Sequence, residues 1–244
     1  MTAPLLALDL GNSSLKACLF SAGGGAPSAV LEPGADLVDW LRSLEPPSAV
    51  GLSSVADEAR TAEVAAALEV TLGRAPSINP DCGLSLEVET PETTGRDRLY
   101  AARAALEVLG APCLVVDVGT ALTVDAVRPG AFLGGAIAPG PALLARALTD
   151  GGARLPAFEP APDVPALGRS TVDALRAGVG VGVVGAAWML VERVAAEAAL
   201  SPHSPVFLTG GASAYLEVPF AEGPRPLRVD PWLVLRGLVH TLSP

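Results

Sequence analysis

The sequence predicts an α/β protein made of two similar lobes, and three observations support this prediction. Short apolar segments of strand length alternate with longer segments of helical composition over the 244 residues. The motif Asp9-x-Gly11-Asn12-Ser13, between two apolar segments, has a counterpart almost half a chain later in Asp117-x-Gly119-Thr120-Ala121. Gly110 and Pro112 interrupt the helical pattern between the two copies. We therefore predict lobes at residues 1–111 and 112–244.

Local composition predicts the elements of each lobe in order. In the first lobe we expect strands at residues 5–10, 15–20 and 49–53, and helices at 36–44, 58–72 and 99–109. In the second we expect strands at 114–118, 122–127 and 206–208, and helices at 141–148, 170–199 and 231–242. Residues 134–140 and 150–165 are rich in Gly and Pro and are predicted loops.

Charge and composition argue against several classes of function. The net charge of −10 leaves no basic stripe for a phosphate backbone, so we expect no nucleic-acid partner. The three cysteines are widely spaced and form no CxxC pair, which favours reduced thiols and a cytoplasmic protein. The uncharged apolar stretch 177–191 is too short for a bilayer and is interrupted by glycines, so we expect no membrane partner.

The paired D-x-G motifs suit phosphate and cation binding. A glycine turn lets backbone N–H groups approach phosphate oxygens closely, and an adjacent carboxylate holds a cation directly or through its waters. One such motif is also what an ordinary hairpin turn contains. Two motifs at matched positions favour a site in a cleft between the lobes. The chain has no GxxxxGK[ST] loop, and its GxGxxG pattern at 180–185 lies inside a helical segment, where it favours helix packing.

The ordered motifs resemble the actin, hexokinase and heat-shock ATPase superfamily and, more narrowly, type III pantothenate kinase. The matching segments are Asp9–Ser13, Gly95–Arg98, Asp117–Thr123, Gly134–Gly140, Thr171–Leu175 and Thr209–Gly211. The resemblance covers nearly the whole chain and implies two ribonuclease-H-like lobes with a nucleotide cleft between them. It implies phosphorylation of pantothenate by ATP, with Mg²⁺ and a monovalent cation (K⁺ or NH₄⁺). It also implies a homodimer with the substrate site near the subunit interface.

The resemblance assigns roles to particular residues. ATP would be bound by Thr120 and by a first segment consisting of Asp9, Leu10, Gly11, Asn12, Ser13, Ser14, Leu15 and Lys16. Pantothenate would be bound by Gly95, Arg96, Asp97, Arg98 and Thr171, with Asp97 as the proton acceptor. Asp117 would hold the monovalent cation. Val88 and Thr90 stand where the family typically has Tyr and often has Asn, so part of the usual pantothenate pocket differs.

Each assignment has an alternative. Asp97 and Thr171 could be helix caps, Arg98 a solvated charge at a helix start, and Lys16 a solvent-facing strand residue. For the whole chain, one alternative is a non-catalytic or weakly active relative with a regulatory or accessory role. Another is an actin-like protein that hydrolyses ATP or polymerises. Retention of three acids, Asp9, Asp97 and Asp117, favours the kinase over the first, and the short chain favours it over the second.

Overall fold

The first of two β-sheets contains five strands in the computed structural model, which describes residues 4–21 and 25–242. The strands are β1 (Leu5–Leu10), β2 (Leu15–Phe20), β3 (Ala29–Val30), β4 (Ala49–Ser54) and β5 (Ser77–Ile78). They lie in the order β3-β2-β1-β4-β5, with β1 antiparallel to β2 and parallel to β4. Every β1 residue except Asp9 is buried, as expected for a strand covered on both faces.

The helices that the first half of the chain adds to this unit are α1 (Leu37–Arg42), α2 (Glu58–Leu72) and α3 (Arg96–Leu109). The bounds of α2 follow from its caps. Asp57 accepts a hydrogen bond from Arg60 N at 2.8 Å, and Gly73 takes the left-handed conformation, φ 63°, that ends the helix. Leucines from β1, β4 and α2 form a core, namely Leu6, Leu8, Leu10, Leu52 and Leu68.

The second sheet contains six strands. They are β6 (Ser85–Leu86), β7 (Cys113–Val118), β8 (Ala121–Arg128), β9 (Ala131–Pro139), β10 (Val206–Thr209) and β11 (Leu227–Val229). Their order is β11-β10-β7-β8-β9-β6. The prediction of a loop at 134–140 is wrong for all but its last residue. Antiparallel pairing with β8 continues to Pro139. The register of the two strands shifts after Ala126, and Gly134 at φ 102° accommodates this bulge.

The two sheets share one plan. The first reads β3-β2-β1-β4-β5 and the second, without its β6 edge, reads β9-β8-β7-β10-β11. Corresponding neighbours also agree in direction, since β1 and β7 each pair antiparallel with the next strand and parallel with β4 or β10. The predicted duplication of an α/β unit is therefore confirmed.

The helices that follow β9 are α4 (Pro141–Gly151), α5 (Thr171–Glu197) and the short α6 (Glu217–Ala221). One face of α5 packs against the second sheet and buries Val179, Val183, Ala187, Val191 and Ala195. Among the described residues, α5 is the one helix whose length and composition would allow it to cross a membrane, and 39% of its most apolar stretch is buried. The expectation that glycines interrupt this segment is wrong, because the helix runs through all of them. The expected absence of a membrane partner stays a prediction.

The chain forms two compact units whose bounds differ from the predicted ones at residues 86–88, at 109–111 and from Leu233 onward. The first unit contains the described residues up to Ser85, residues 89–108 and the residues from Leu233 onward; the second contains 86–88 and 109–232. The terminal helix, α7 (Leu233–Leu242), packs against β1 and β4, and so belongs to the first unit and not to the predicted 112–244 lobe. Two glycines permit the close packing of α7, Gly51 where it meets β4 and Gly237 where it meets α3. A Cβ at Gly51 would lie 3.0 Å from Leu238 Cγ, and one at Gly237 would lie 1.8 Å from Tyr100 O.

Candidate active site

The first predicted phosphate-binding turn joins β1 to β2. A hydrogen bond from Gly11 N to Ser14 O, at 2.9 Å, closes it. Asn12, Ser13 and Ser14 are exposed, whereas Leu10 is buried in the core. An exposed turn that opens with a glycine gives an anion access to backbone N–H groups. Leu10 faces the core, so its contribution to ATP binding would be limited to backbone atoms.

Asp9 lies at the end of β1, between a basic and a hydroxyl side chain. In the strand register Asp9 is paired with Lys16 on β2 and with Ser53 on β4. Ser53 Oγ is buried and donates a hydrogen bond to Asp9 Oδ1 at 2.9 Å. Lys16 is half-buried, which argues against a merely solvent-facing strand residue. Asp9 is therefore held in place at the strand end, with a cationic side chain as its cross-strand neighbour.

Arg60 also contacts this turn, and it is not among the residues predicted from the sequence. From the first turn of α2 its Nη1 donates to Gly11 O at 3.0 Å and to Asn12 O at 2.9 Å. The contact joins residues 48 and 49 positions apart. The available signal was indirect: Asp57 caps a helix immediately after the strand that neighbours β1 in parallel, which places the start of α2 near the end of β1.

The proposed acceptor segment, Gly95–Arg98, forms the start of α3. Asp97 Oδ1 accepts a hydrogen bond from Arg98 N at 2.9 Å. A Cβ on Gly95 would lie 2.5 Å from Asp97 Oδ1, so the glycine makes room for the carboxylate. Among the described residues, Asp97 Oδ2 has no hydrogen-bond partner. The carboxylate thus anchors its own helix end through one oxygen and leaves the other for a ligand.

The pKa of the Tyr100 phenol is affected by charged groups near this segment. Its buried hydroxyl donates to Pro80 O at 2.7 Å, and burial raises the pKa of the phenol. The positive charge of Arg96 acts against this rise in the Tyr100 pKa, while the negative charges of Asp81 and Asp9 add to it. Asp9 and Arg96 therefore both lie within electrostatic range of Tyr100. The first turn and the start of α3 both belong to the first unit.

The second predicted turn joins β7 to β8 in the second unit. Gly119 N donates to Ala121 O at 2.8 Å, and Thr120 at the tip is exposed. The first turn of α4 abuts this hairpin: Gly140 N donates to Thr120 O at 2.9 Å, and a Cβ on Gly140 would lie 2.1 Å from Gly119 O. Only glycine fits at this contact. The turn is thus supported by α4, and Thr120 stays exposed at its tip.

Asp117 lies in a close-fitting cradle formed by Gly210 and by two threonines on the neighbouring strands. A Cβ on Gly210 would lie 2.4 Å from both Asp117 Oδ1 and Val118 O. Thr209 and Thr123 occupy the register positions beside Asp117 on β10 and β8. Thr123 Oγ1 is buried and has no hydrogen-bond partner within the described residues. Carboxylate and hydroxyl oxygens are the ligands that hard cations prefer, so the donors present fit K⁺ or Mg²⁺.

Thr171 is the exposed first residue of α5. The cap of this helix is Ser170, whose Oγ accepts a hydrogen bond from Asp173 N at 3.1 Å. The capping alternative for Thr171 is therefore wrong. Arg98 is half-buried, which argues against a fully solvated charge. Among residues 4–21 and 25–242, no group of three or more His, Cys, Asp or Glu side chains could hold a metal ion.

Comparison with known families identifies one that matches most of the chain. The model of the type III pantothenate kinase family matches residues 5–193. A type III pantothenate kinase of Dehalococcoides mccartyi (strain CBDB1) is 37% identical over 158 residues, which cover 64% of this chain and 58% of that protein. The aligned part therefore spans somewhat more than half the length of this curated relative.

Solved structures resemble the chain over almost its whole length. A Campylobacter jejuni protein described as a Baf family transcriptional activator has a TM-score of 0.60 and 21% identity, covering 97% of this chain and 96% of its own. The (R)-2-hydroxyglutaryl-CoA dehydratase component A of Acidaminococcus fermentans has a TM-score of 0.53 and 14% identity, covering 98% and 96%. At these identities the likeness concerns the fold alone. It confirms the predicted fold class, an α/β protein built on two sheets.

Proposed function

This chain belongs to the type III pantothenate kinase family, and from that premise we propose that it transfers the terminal phosphate of ATP to the primary hydroxyl of pantothenate. The product would be 4'-phosphopantothenate, at the first step of coenzyme A biosynthesis. The observation that carries the proposal is the family match over residues 5–193, which contains Asp9, Asp97, Asp117 and Thr171 in their expected order.

Asp97 is the residue we assign as proton acceptor. Its free Oδ2 could accept the proton of the attacking hydroxyl, while its other oxygen is fixed by Arg98 N. A carboxylate held in this way contributes general-base catalysis, which typically adds about 10²–10⁴-fold to a rate. Most of the remaining acceleration of a phosphoryl transfer comes from positioning and charge neutralisation.

We assign nucleotide binding to Asp9–Lys16 and to Thr120. The exposed turn after β1 offers backbone N–H groups to phosphate, and Lys16 adds a positive charge beside Asp9. Mg²⁺ bound with ATP would neutralise phosphate charge. The cradle at Asp117, with Thr123 Oγ1 unpaired, supports the assignment of a monovalent cation there.

We also propose a homodimer formed through the face of α5 that points away from the second sheet. Gly178, Gly182 and Gly185 lie on this face, and a Cβ at each would meet no atom within 4 Å. Val181 and Met189, on the same side, are 48% and 63% exposed. Small residues flanked by exposed apolar ones let the backbone of a second copy approach closely and cover that surface. Thr171, at the start of the same helix, would contact pantothenate near this interface.

A cytoplasmic location would follow from this role, because ATP and the precursors of coenzyme A are cytoplasmic metabolites. Three buried cysteines, none of them in a disulfide, support it.

The test is ADP production with and without pantothenate, in potassium buffer and in sodium buffer. We expect pantothenate-dependent ADP formation in potassium and a much lower rate in sodium. Asp97→Asn should lower kcat by about 10²–10⁴-fold and leave the affinity for ATP nearly unchanged. The variant Glu45→Gln serves as the control, because it removes one negative charge at an exposed position elsewhere in the chain. ADP formation that is indifferent to pantothenate would contradict the proposed function, and full activity of Asp97→Asn would contradict the base assignment.

A further inference from the structure

We infer that Arg60 is a positioning residue for the nucleotide: it holds the turn after β1 in the conformation that presents backbone N–H groups to phosphate. This inference rests on the proposed function and adds a residue outside the Asp9–Lys16 segment. The observation is the pair of hydrogen bonds from Arg60 Nη1 to Gly11 O and Asn12 O, at 3.0 and 2.9 Å.

The position of Arg60 is fixed by its own helix. It lies in the first turn of α2, where its backbone N–H is bound by the capping carboxylate of Asp57 at 2.8 Å. The chain reaches this helix from β4, whose neighbour β1 ends in the turn. Val55 N, just beyond β4, donates to Leu10 O at 3.1 Å and joins the two strand ends. The guanidinium therefore approaches the turn from a rigid support.

The planar geometry of the peptide bond determines the direction in which the backbone N–H groups of this turn point. In a planar trans peptide the C=O of one residue and the N–H of the next point in opposite directions. Fixing Gly11 O and Asn12 O towards Arg60 therefore directs the N–H groups of Asn12 and Ser13 away from it, on a common side. Among the described residues Asn12 N has no hydrogen-bond partner. A backbone N–H group of this kind, exposed in a tight turn, is available to an anion.

A purely structural role for Arg60 predicts something different. Asn12, Ser13 and Ser14 are exposed, so water could replace the guanidinium at the two carbonyl oxygens with little loss of stability in the empty protein. A turn released in this way would spend part of its time in other conformations, and its apparent affinity for phosphate would fall by that fraction. The affected quantity is thus nucleotide affinity and not folding.

The experiment compares Arg60→Met and Arg60→Lys with the wild type and with a control, Arg74→Met. Arg74 is exposed and lies just beyond the opposite end of α2, about 20 Å away along the helix. The dissociation constant of Mg-ADP is measured by calorimetry, the unfolding temperature is measured without ligand, and KM is measured for ATP and for pantothenate.

We expect Mg-ADP to bind Arg60→Met about tenfold more weakly, which corresponds to the loss of a hydrogen bond to a charged group. Arg60→Lys keeps the charge and one donor group and should recover part of the affinity, while Arg74→Met should match the wild type. The KM for ATP should rise with little change in the KM for pantothenate, and the unfolding temperatures should stay close together.

Unchanged Mg-ADP affinity in Arg60→Met would overturn the inference, as would equal weakening of both substrates, which signals general damage to the first unit. Wild-type protein that binds no Mg-ADP would overturn the inference together with the proposed function. Wild-type protein that binds Mg-ADP but does not phosphorylate pantothenate would overturn the proposed function alone. In that case the loss of Mg-ADP affinity in Arg60→Met would still support the positioning role.

Discussion

Adding one methyl group at Gly210 should disturb the second phosphate-binding turn, whereas the same change at Gly211 should not. Gly210 has φ 99°, and a Cβ there would lie 2.4 Å from Asp117 Oδ1 and from Val118 O. Ordinary contacts of a Cβ begin at 3.4 Å, so the carboxylate or the strand end would have to move by about 1 Å. At Gly211 no atom lies within 4 Å of the added carbon, and its φ is not positive.

The magnitude follows from two contributions. A positive φ costs a residue with a side chain about 1–2 kcal/mol, and forcing a methyl into a filled space costs about 1–3 kcal/mol. We therefore expect Gly210→Ala to lower the free energy of unfolding by about 2–5 kcal/mol and the unfolding temperature by roughly 5–15 °C. Gly211→Ala should stay within about 0.5 kcal/mol of the wild type.

The assay is urea and thermal unfolding followed by circular dichroism, with ADP formation measured at a temperature where both variants are folded. Displacement of Asp117 should lower the activity of Gly210→Ala and weaken its response to potassium, while Gly211→Ala keeps both. If the two variants unfold together and respond to potassium alike, Gly210 does not lie against Asp117 and the cradle is wrong.

Three further predictions test other parts of the structure. Gly182→Leu should leave the unfolding temperature of the chain nearly unchanged yet yield a monomer by light scattering at micromolar concentration; a persisting dimer would place the interface elsewhere. Burial raises the pKa of the Cys18 and Cys113 thiols to about 12, so at pH 8 neither should react with iodoacetamide until the protein unfolds, and rapid alkylation of the native protein would contradict their burial. Arg225 hydrogen-bonds to Glu192 at 2.8 Å and lowers the pKa of that carboxyl. Because the folded-state pKa is the lower one, this pair stabilises the protein above the unfolded-state pKa of Glu192 and ceases to do so as the pH falls through the folded-state value. Glu192→Gln should therefore destabilise the protein at pH 7, and its difference in unfolding temperature from the wild type should shrink as the pH is lowered; a difference that does not change with pH would refute the ion pair.

Strands and helices whose sequence signals lie within or next to the element itself were predicted correctly. The predicted bounds of β1, β2 and α2 agree with the structure, because apolar strands around a glycine turn and a helix between Asp57 and Gly73 carry their signals locally. Helix α3 begins three residues earlier than predicted, at Arg96, where Gly95 leaves room for the carboxylate of Asp97. The strand β9 was missed because its glycines and its final proline are typical of loops.

The two candidate turns also carry their signals in their own residues. Asp9 and Asp117 each follow a buried strand and precede a glycine, so strand ends with exposed turns could be expected from the sequence alone. Their surroundings could not. Ser53, on β4, contacts Asp9, and Gly210, just after β10, lies against Asp117, both from far along the chain. Nothing in the sequence around Ser53 or Gly210 indicates which carboxylate it contacts.

The amino-acid sequence by itself determined the α/β class, the repeated strand-turn-strand unit and the acids at the strand ends, because these depend on side chains within a few residues of one another. Tertiary structure alone decided that α7 joins the first unit and that β9 pairs along β8 in spite of its glycines. It also decided that Arg60 donates hydrogen bonds to a turn that lies much earlier in the chain. Each of these outcomes depends on which distant surfaces meet. The free energy of such contacts comes from burial and hydrogen bonding between segments, which no local pattern encodes.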